Sequence, residues 1–131
     1  MTNPVTLPKK EPTIRLAAMP SDANYTGDMF GGWIMGQVDI AGSLPALHRA
    51  KGRVVTVAVN SFVFKEPIYI GDIVSFYAEI VKVGTTSITV DVQVYAQRDP
   101  RKPVCVKVTE ATLTYVAVGE DRKPRVIPLA D

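Results

Sequence analysis

One acid stands apart in this sequence. Asp39 lies inside an almost wholly apolar run, MFGGWIMGQVDIAGSL at residues 29–44. An ionised carboxylate on a buried surface costs several kcal/mol unless it is partnered, or else its pKa rises. Upstream of Arg49 the only cations are Lys9, Lys10 and Arg15, so none sits on the run to neutralise the charge. Two readings stand open. The acid could be hydrogen-bonded to backbone N–H groups or to Ser43, one helical turn on. Alternatively, it could be a general base or nucleophile, the roles for which proteins perturb carboxylates. The stretch just before the run, SDANYTGD at 21–28, is polar and turn-like, and Asp28 is placed to cap a helix that begins at Met29.

The elements that must position Asp39 follow from periodicity. At 100° per residue, Phe30, Trp33, Ile34, Ala41 and Leu44 fall on one side of a helix, with Val38 and Ile40 flanking them. Gly32, Met35, Gly36, Gly42, Ser43 and Ala46 surround Asp39 on the other. The bulky side wants a core. The small side allows a second helix or a thin ligand to approach the backbone. Pro45 is expected to kink or end the helix, with one further turn stopped by Gly52. From Arg53 the period changes to that of strands. Residues 53–64, 73–83, 86–98 and 104–118 are rich in β-branched and aromatic residues and are separated by Gly, Pro and Asp turns. In the third of these, Ile88, Val90, Val92, Val94 and Ala96 alternate with polar residues. Residues 13–19 make a further short strand. Long antiparallel strands of this kind need one face covered, and one apolar helix is available to cover it. The expected fold class is α+β: a long central helix wrapped by a curved, meander-like antiparallel sheet, the hotdog arrangement. Free sheet edges are expected to pair across a dimer.

Composition bounds the rest. A chain of 131 residues, 47% hydrophobic and 21% charged, is one ordinary globular domain. Residues 1–12 read as a loose arm and 13–131 as the single domain. A net charge of +2 gives no nucleic-acid or membrane signal. Cys105 is the one cysteine, so no intramolecular disulfide forms. With no secretory or membrane-spanning run either, the expected location is the cytoplasm. One His and one Cys offer no metal-ligand spacing. His48 reads as a helix-end surface residue, and Cys105, between Val104 and Val106, as a small wall residue of a strand.

PSDANYTGDMFGGWIMGQVDIAG, GRVVTVAV, FKEPIYIGDIV, VGTTSI, ATLTYVAV and KPRVIP together resemble the YciA-type acyl-CoA thioesterases of the hotdog superfamily. The resemblance covers residues 15–128, in order. It implies hydrolysis of acyl-CoA thioesters by a homodimer, assembled as a hexamer (a trimer of dimers). No cofactor is implied beyond the coenzyme A of substrate and product. Asp39 matches the catalytic acid, and Asn24 matches the polar loop residue that positions substrate or water. Gly31 or Gly32 matches the helix start whose N–H polarises the thioester carbonyl. Ser43 matches a small hydroxyl residue at superfamily level only. Thr86 and Ser87 fall where the wall of a CoA channel is expected. Pro45 departs from the pattern. The phosphates of CoA require a basic rim. Lys51, Arg53, Arg98, Arg101 and Lys102 are candidates, and the densest cluster is Arg122, Lys123 and Arg125. The competing class is a non-catalytic hotdog module that binds acyl-CoA as a sensor or scaffold. Against it stands Asp39, an acid that a pure binder has no need of.

Gly31 and Asp39 are eight residues apart, about 12 Å along a helix at roughly 1.5 Å per residue. They cannot both touch one thioester carbon from the same chain. Antiparallel helices from two subunits would bring the N-terminus of one to the Asp39 level of the other. The expected site is therefore shared.

Overall fold

The computed structural model describes residues 5–130. Five strands form one antiparallel sheet around one helix. They are β1 (Ile14–Ala17), β2 (Val54–Phe64), β3 (Ile73–Val83), β4 (Ser87–Arg98) and β5 (Val104–Ala117), and the helix is α1 (Gly31–Ala50). A short 3-10 turn, Pro20–Asp22, precedes the helix. This is the hotdog arrangement expected from the sequence. The order across the sheet is β1-β3-β4-β5-β2. Only β3, β4 and β5 form a meander. β2 does not pair with its neighbour in sequence, β3, but crosses to β5 and leaves its other edge open.

The alternation in β4 places Ile88, Val90, Val92, Val94 and Ala96 on the concave face, all fully buried. Phe76, Val74, Leu113 and Tyr115 from the flanking strands share that face. The helix fills the concavity with Ile34, Val38, Ala41, Gly42, Ala46 and Ala50. Ile34, Val38 and Ala41 lie inward as expected, but the rest of the face differs. Ala46 and Gly42 turn toward the sheet, while Phe30 and Ile40 are exposed. A helix apolar all round has no unique inward side by pattern alone. Here the sheet takes the small residues, because a concave surface lined by Tyr115 and Phe76 leaves little room.

The helix ends also differ. Asp28 does not cap it. The chain at 28–29 is extended, pairing Asp28 with Tyr69 and sending the Met29 N–H to the Ile68 carbonyl at 2.8 Å. The helix therefore starts at Gly31, with Phe30 as an N-cap that offers no side-chain acceptor. Pro45 sits inside the helix and does not end it. It removes one hydrogen bond, to the Ala41 carbonyl, and tertiary packing of the buried residues on both sides holds the turn. At the far end Lys51, with φ 55°, takes the left-handed position, and the Gly52 N–H closes on the Leu47 carbonyl at 3.2 Å.

Residues 1–4 of the arm lie outside the described residues. Residues 5–12 carry neither helix nor strand, and Lys10 lies 3.8 Å from Glu79 on the outer face of the sheet.

Candidate active site

The predicted residues fall in three places. The first is a cleft of about 390 Å³ at the start of the helix, lined by Asn24, Asp28, Gly31, Phe64, Glu66 and Ile68 among others. Asn24 is held by its own loop. Its Oδ1 accepts from the Thr26 N–H (2.9 Å), the Thr26 hydroxyl (2.7 Å) and the Asp28 N–H (3.1 Å). Asn and Asp favour such turns because their side chains reach the backbone two residues on. Gly27 completes this one with φ 94°. With Oδ1 occupied, the NH₂ of Asn24 is left as the donor. Gly31 packs under the Phe64 ring, where a Cβ would lie 3.4 Å from Cζ. Gly32 is exposed, with open space around it. The N–H groups of Gly31 and Gly32 have no partner among the described residues, whereas Trp33 and Ile34 already donate to the Phe30 carbonyl. Unpaired N–H groups and the positive end of the helix dipole make this a place for an oxyanion.

One wall of the cleft is braced by Asp72 and Tyr69 together with Arg98, a candidate for the basic rim that is instead engaged within the fold. Buried Asp72 accepts from the Tyr69 N–H (3.0 Å) and from Arg98 Nε (2.9 Å). Arg98 also donates to the Pro67 carbonyl and lies 4.4 Å above the Tyr69 ring centroid. The loop 65–72 is thereby fixed against the helix start.

The second place is Asp39, two turns along the helix and not among the residues lining the cleft. It is half-buried. Its partners are neither backbone N–H groups nor Ser43, whose hydroxyl turns back to the Ile40 carbonyl at 2.7 Å. Instead the Thr56 hydroxyl donates to Asp39 Oδ1 at 2.6 Å. The Tyr115 hydroxyl lies 2.8 Å from the Asp39 carbonyl and 3.2 Å from Oδ1. Thr56 and Tyr115 are cross-strand partners on β2 and β5, so the sheet register delivers both to one carboxylate. Burial, then the Asp39 charge and the hydrogen bond to it, push the Tyr115 phenol well above its ordinary pKa. Neither residue was singled out from sequence. The usable signal was Tyr115 itself, a phenol in register with the inward residues Leu113 and Ala117, which needs a partner when buried. Gly42, expected to admit a helix or ligand, in fact admits this phenol: a Cβ there would fall 2.4 Å from Tyr115 Oη.

The third place is the far end of the helix. Lys51, Arg53, Val118, Gly119, Glu120 and Arg125 surround a second cleft of about 370 Å³. The turn before β4 joins it, since the Thr86 carbonyl accepts from the Ala117 N–H (2.9 Å) and the Thr85 carbonyl from the Ile127 N–H (2.8 Å). Ser87 closes that turn, accepting from the Gly84 N–H at 2.7 Å. The basic cluster does not act as a unit. Arg122 and Lys123 are exposed, whereas Arg125 turns inward and donates to the carbonyls of Ala50 (2.8 Å) and Val118 (3.1 Å). A guanidinium at a helix C-terminus satisfies orphan carbonyls and opposes the dipole. Arg125→Ala is expected to lower stability by about 2 kcal/mol, since bonds to charged donors contribute roughly 1.5–3 kcal/mol. Chemical denaturation checks this.

His48 is exposed near the helix end. Cys105 is partly buried, and burial holds its thiol above the ordinary pKa, away from nucleophilic character. No helix among the described residues is long and apolar enough to cross a membrane.

Known proteins carry the same framework. The family model of the thioesterase superfamily matches residues 26–103. The acyl-CoA thioester hydrolase YciA of Salmonella typhimurium is 45% identical, over 98% of both chains. Cj0915, a hexameric hotdog fold thioesterase of Campylobacter jejuni, is 48% identical over 91% of both chains, with a TM-score of 0.86. An acyl-CoA hydrolase of Staphylococcus aureus, 30% identical over 88% of this chain and 68% of its own, has a TM-score of 0.81. That enzyme has been solved with an asparagine and, separately, an aspartate replaced by alanine, fifteen positions apart in its chain. With its helix, sheet and sequence all matched across nearly the whole length, this chain belongs to the YciA-type acyl-CoA thioesterase family of the thioesterase superfamily.

Proposed function

We propose that the protein hydrolyses acyl-CoA thioesters to free acid and CoA at sites shared between two subunits. Each site takes Asn24 and the helix start from one chain and Asp39 from the other. One observation carries this reading: the cleft lined by Asn24 and Gly31 does not include Asp39. The 12 Å estimate agrees with that separation. Exposed apolar residues support the pairing: Phe30 at the helix N-cap, Met35 and Ile40 on the helix, and Val55, Val57 and Val59 on the open-edged β2. Burying these helix and edge-strand residues against a second copy, in opposite direction, brings Asp39 of the partner toward the cleft. A trimer of such dimers accords with the hexameric Campylobacter relative.

In this site the thioester oxygen takes the N–H groups of Gly31 and Gly32, and the Asn24 amide orients substrate or water. Asp39 Oδ1 is held by Thr56 and Tyr115, so Oδ2 is the acting atom. It accepts a proton from the attacking water, or itself attacks the carbonyl carbon to give an anhydride that water then cleaves. Either way the C–S bond breaks, the electron pair leaves with sulfur, and CoA departs as a thiolate that needs little protonation. Ser43 borders the carboxylate from one turn on. CoA enters only as part of substrate and product, and the step draws on no cofactor. The single cysteine accords with a cytoplasmic location.

A second reading has its own observation, because Asp28 and Glu66 line the cleft itself. Asp39 is favoured over them. Two hydroxyl donors pre-orient its carboxylate, and Asn24 and Asp39 are fifteen positions apart, the spacing of the pair replaced in the Staphylococcus enzyme.

The phosphates of CoA suit the basic cleft at the helix end, with Thr86 and Ser87 walling the channel and Arg53, Arg122 and Lys123 at its rim. Lys51 is twelve residues beyond Asp39, roughly 18 Å along the helix, a span for the pantetheine arm to cross. In a thiol-release assay the wild-type enzyme is expected to cleave acyl-CoA. Charge reversal at Arg53, Arg122 and Lys123 is expected to raise KM for acyl-CoA about tenfold or more and to leave an acyl-pantetheine thioester unaffected. Equal effects on both substrates would remove the phosphates from this cleft. No thiol release from any acyl-CoA would return the chain to the non-catalytic class.

A further inference from the structure

We infer that Tyr115 is a positioning residue for the Asp39 carboxylate, locking both the helix backbone and the side chain that it carries. The inference rests on the reading that Asp39 does the chemistry. The Tyr115 side chain is fully buried, and its single hydroxyl proton is shared between two acceptors of the same residue. In a regular helix the Asp39 carbonyl already accepts from the N–H four residues on, so the phenol uses its second lone pair. A donor bound to both the main-chain oxygen and Oδ1 closes a small ring through Asp39. Rotation about the side-chain bonds would break one of the two contacts. Thr56 holds the same Oδ1 from the adjacent strand at 2.6 Å. Oδ2 has no hydrogen bond among the described residues, so the ring determines which oxygen faces the substrate and from what angle.

Gly42 is part of the device. It lies three residues after Asp39 on the helix side that meets the sheet, and a Cβ there would sit 2.4 Å from Oη and 3.2 Å from Cζ and Cε2. Any side chain at this position displaces the phenol. The raised pKa of the phenol keeps it protonated across the working range, so it remains a donor. A tyrosine that served only to fill the core would not need its hydroxyl on the carboxylate, nor a glycine opposite to admit it.

The test is steady-state thiol release by the assembled enzyme carrying Tyr115→Phe, which keeps the ring and removes the hydroxyl. A loss of about 10–100-fold in kcat is expected, because misplacement of a reacting group by about 1 Å can cost on the order of 10²-fold. KM should stay within about twofold. Gly42→Ala, with Tyr115 intact, should reproduce the kcat loss by pushing the ring away. Since Tyr115 acts through Asp39, adding Tyr115→Phe to Asp39→Ala should cost nothing more. Wild-type kcat in folded Tyr115→Phe, a fall in kcat matched by an equal rise in KM, or a further loss in the double variant would each overturn the inference. Should Asp39→Ala itself retain activity, the failure belongs to the Asp39 reading. If Asp39→Ala is inactive while Tyr115→Phe turns over normally, only the role of Tyr115 falls.

Discussion

Asp39→Ala should fold as the wild type does and lose about 10²–10⁴-fold in thioesterase turnover, the usual contribution of a positioned acid–base group. Folding should survive because the buried phenol keeps its bond to the main-chain carbonyl at position 39, which the substitution does not remove. Thr56 loses its carboxylate partner, but it is exposed and water can replace that acceptor. The stability change should therefore be about 1 kcal/mol or less. Residual activity is expected from the N–H groups at Gly31 and Gly32, which still stabilise the oxyanion. Purified variant, a thermal melt and thiol release with a short and a long acyl-CoA are sufficient. Near-wild-type turnover in a folded variant would transfer the role to an acid in the cleft, and Asp28→Ala or Glu66→Ala would then be the variant that abolishes it.

Much of this site was legible before the fold was known, for a physical reason. An unneutralised carboxylate in an apolar run is costly, so Asp39 announces itself by what surrounds it. Asn24 and Gly31 entered through the family resemblance rather than through pattern, and they line one cleft. Thr56 and Tyr115 were not legible. Each sits in a strand whose alternation explains it adequately, and their meeting at Asp39 depends on β2 crossing the sheet to pair with β5. That pairing is long-range, and local pattern does not encode it. The same limit placed β2 in a simple meander. The helix faces misled because the run is apolar all round, so pattern alone gives no unique inward side. Ile40 and Phe30 look like core residues and are exposed. The basic tail misled in the opposite sense: charge density marks a cluster but not direction, and Arg125 turns inward to the helix end while Arg122 and Lys123 stay out. At the helix start, extended pairing with the 65–72 loop overrode the capping signal of Asp28.

The sharing of each site between two chains is the central claim, and complementation tests it most directly. Asn24→Ala and Asp39→Ala should each be crippled alone. Mixed in equal amounts, denatured together and refolded, random pairing makes about half of the dimers mixed. If Asn24 and Asp39 act from opposite chains, a mixed dimer has one site with both residues intact and one with neither. Activity should then recover to about a quarter of wild type, one good site in half of the dimers. If both residues act from one chain, every site keeps a lesion and mixing restores nothing. Native mass spectrometry shows whether mixed dimers have formed. Recovery to about a quarter is the predicted result; no recovery with mixed dimers present would contradict the shared site.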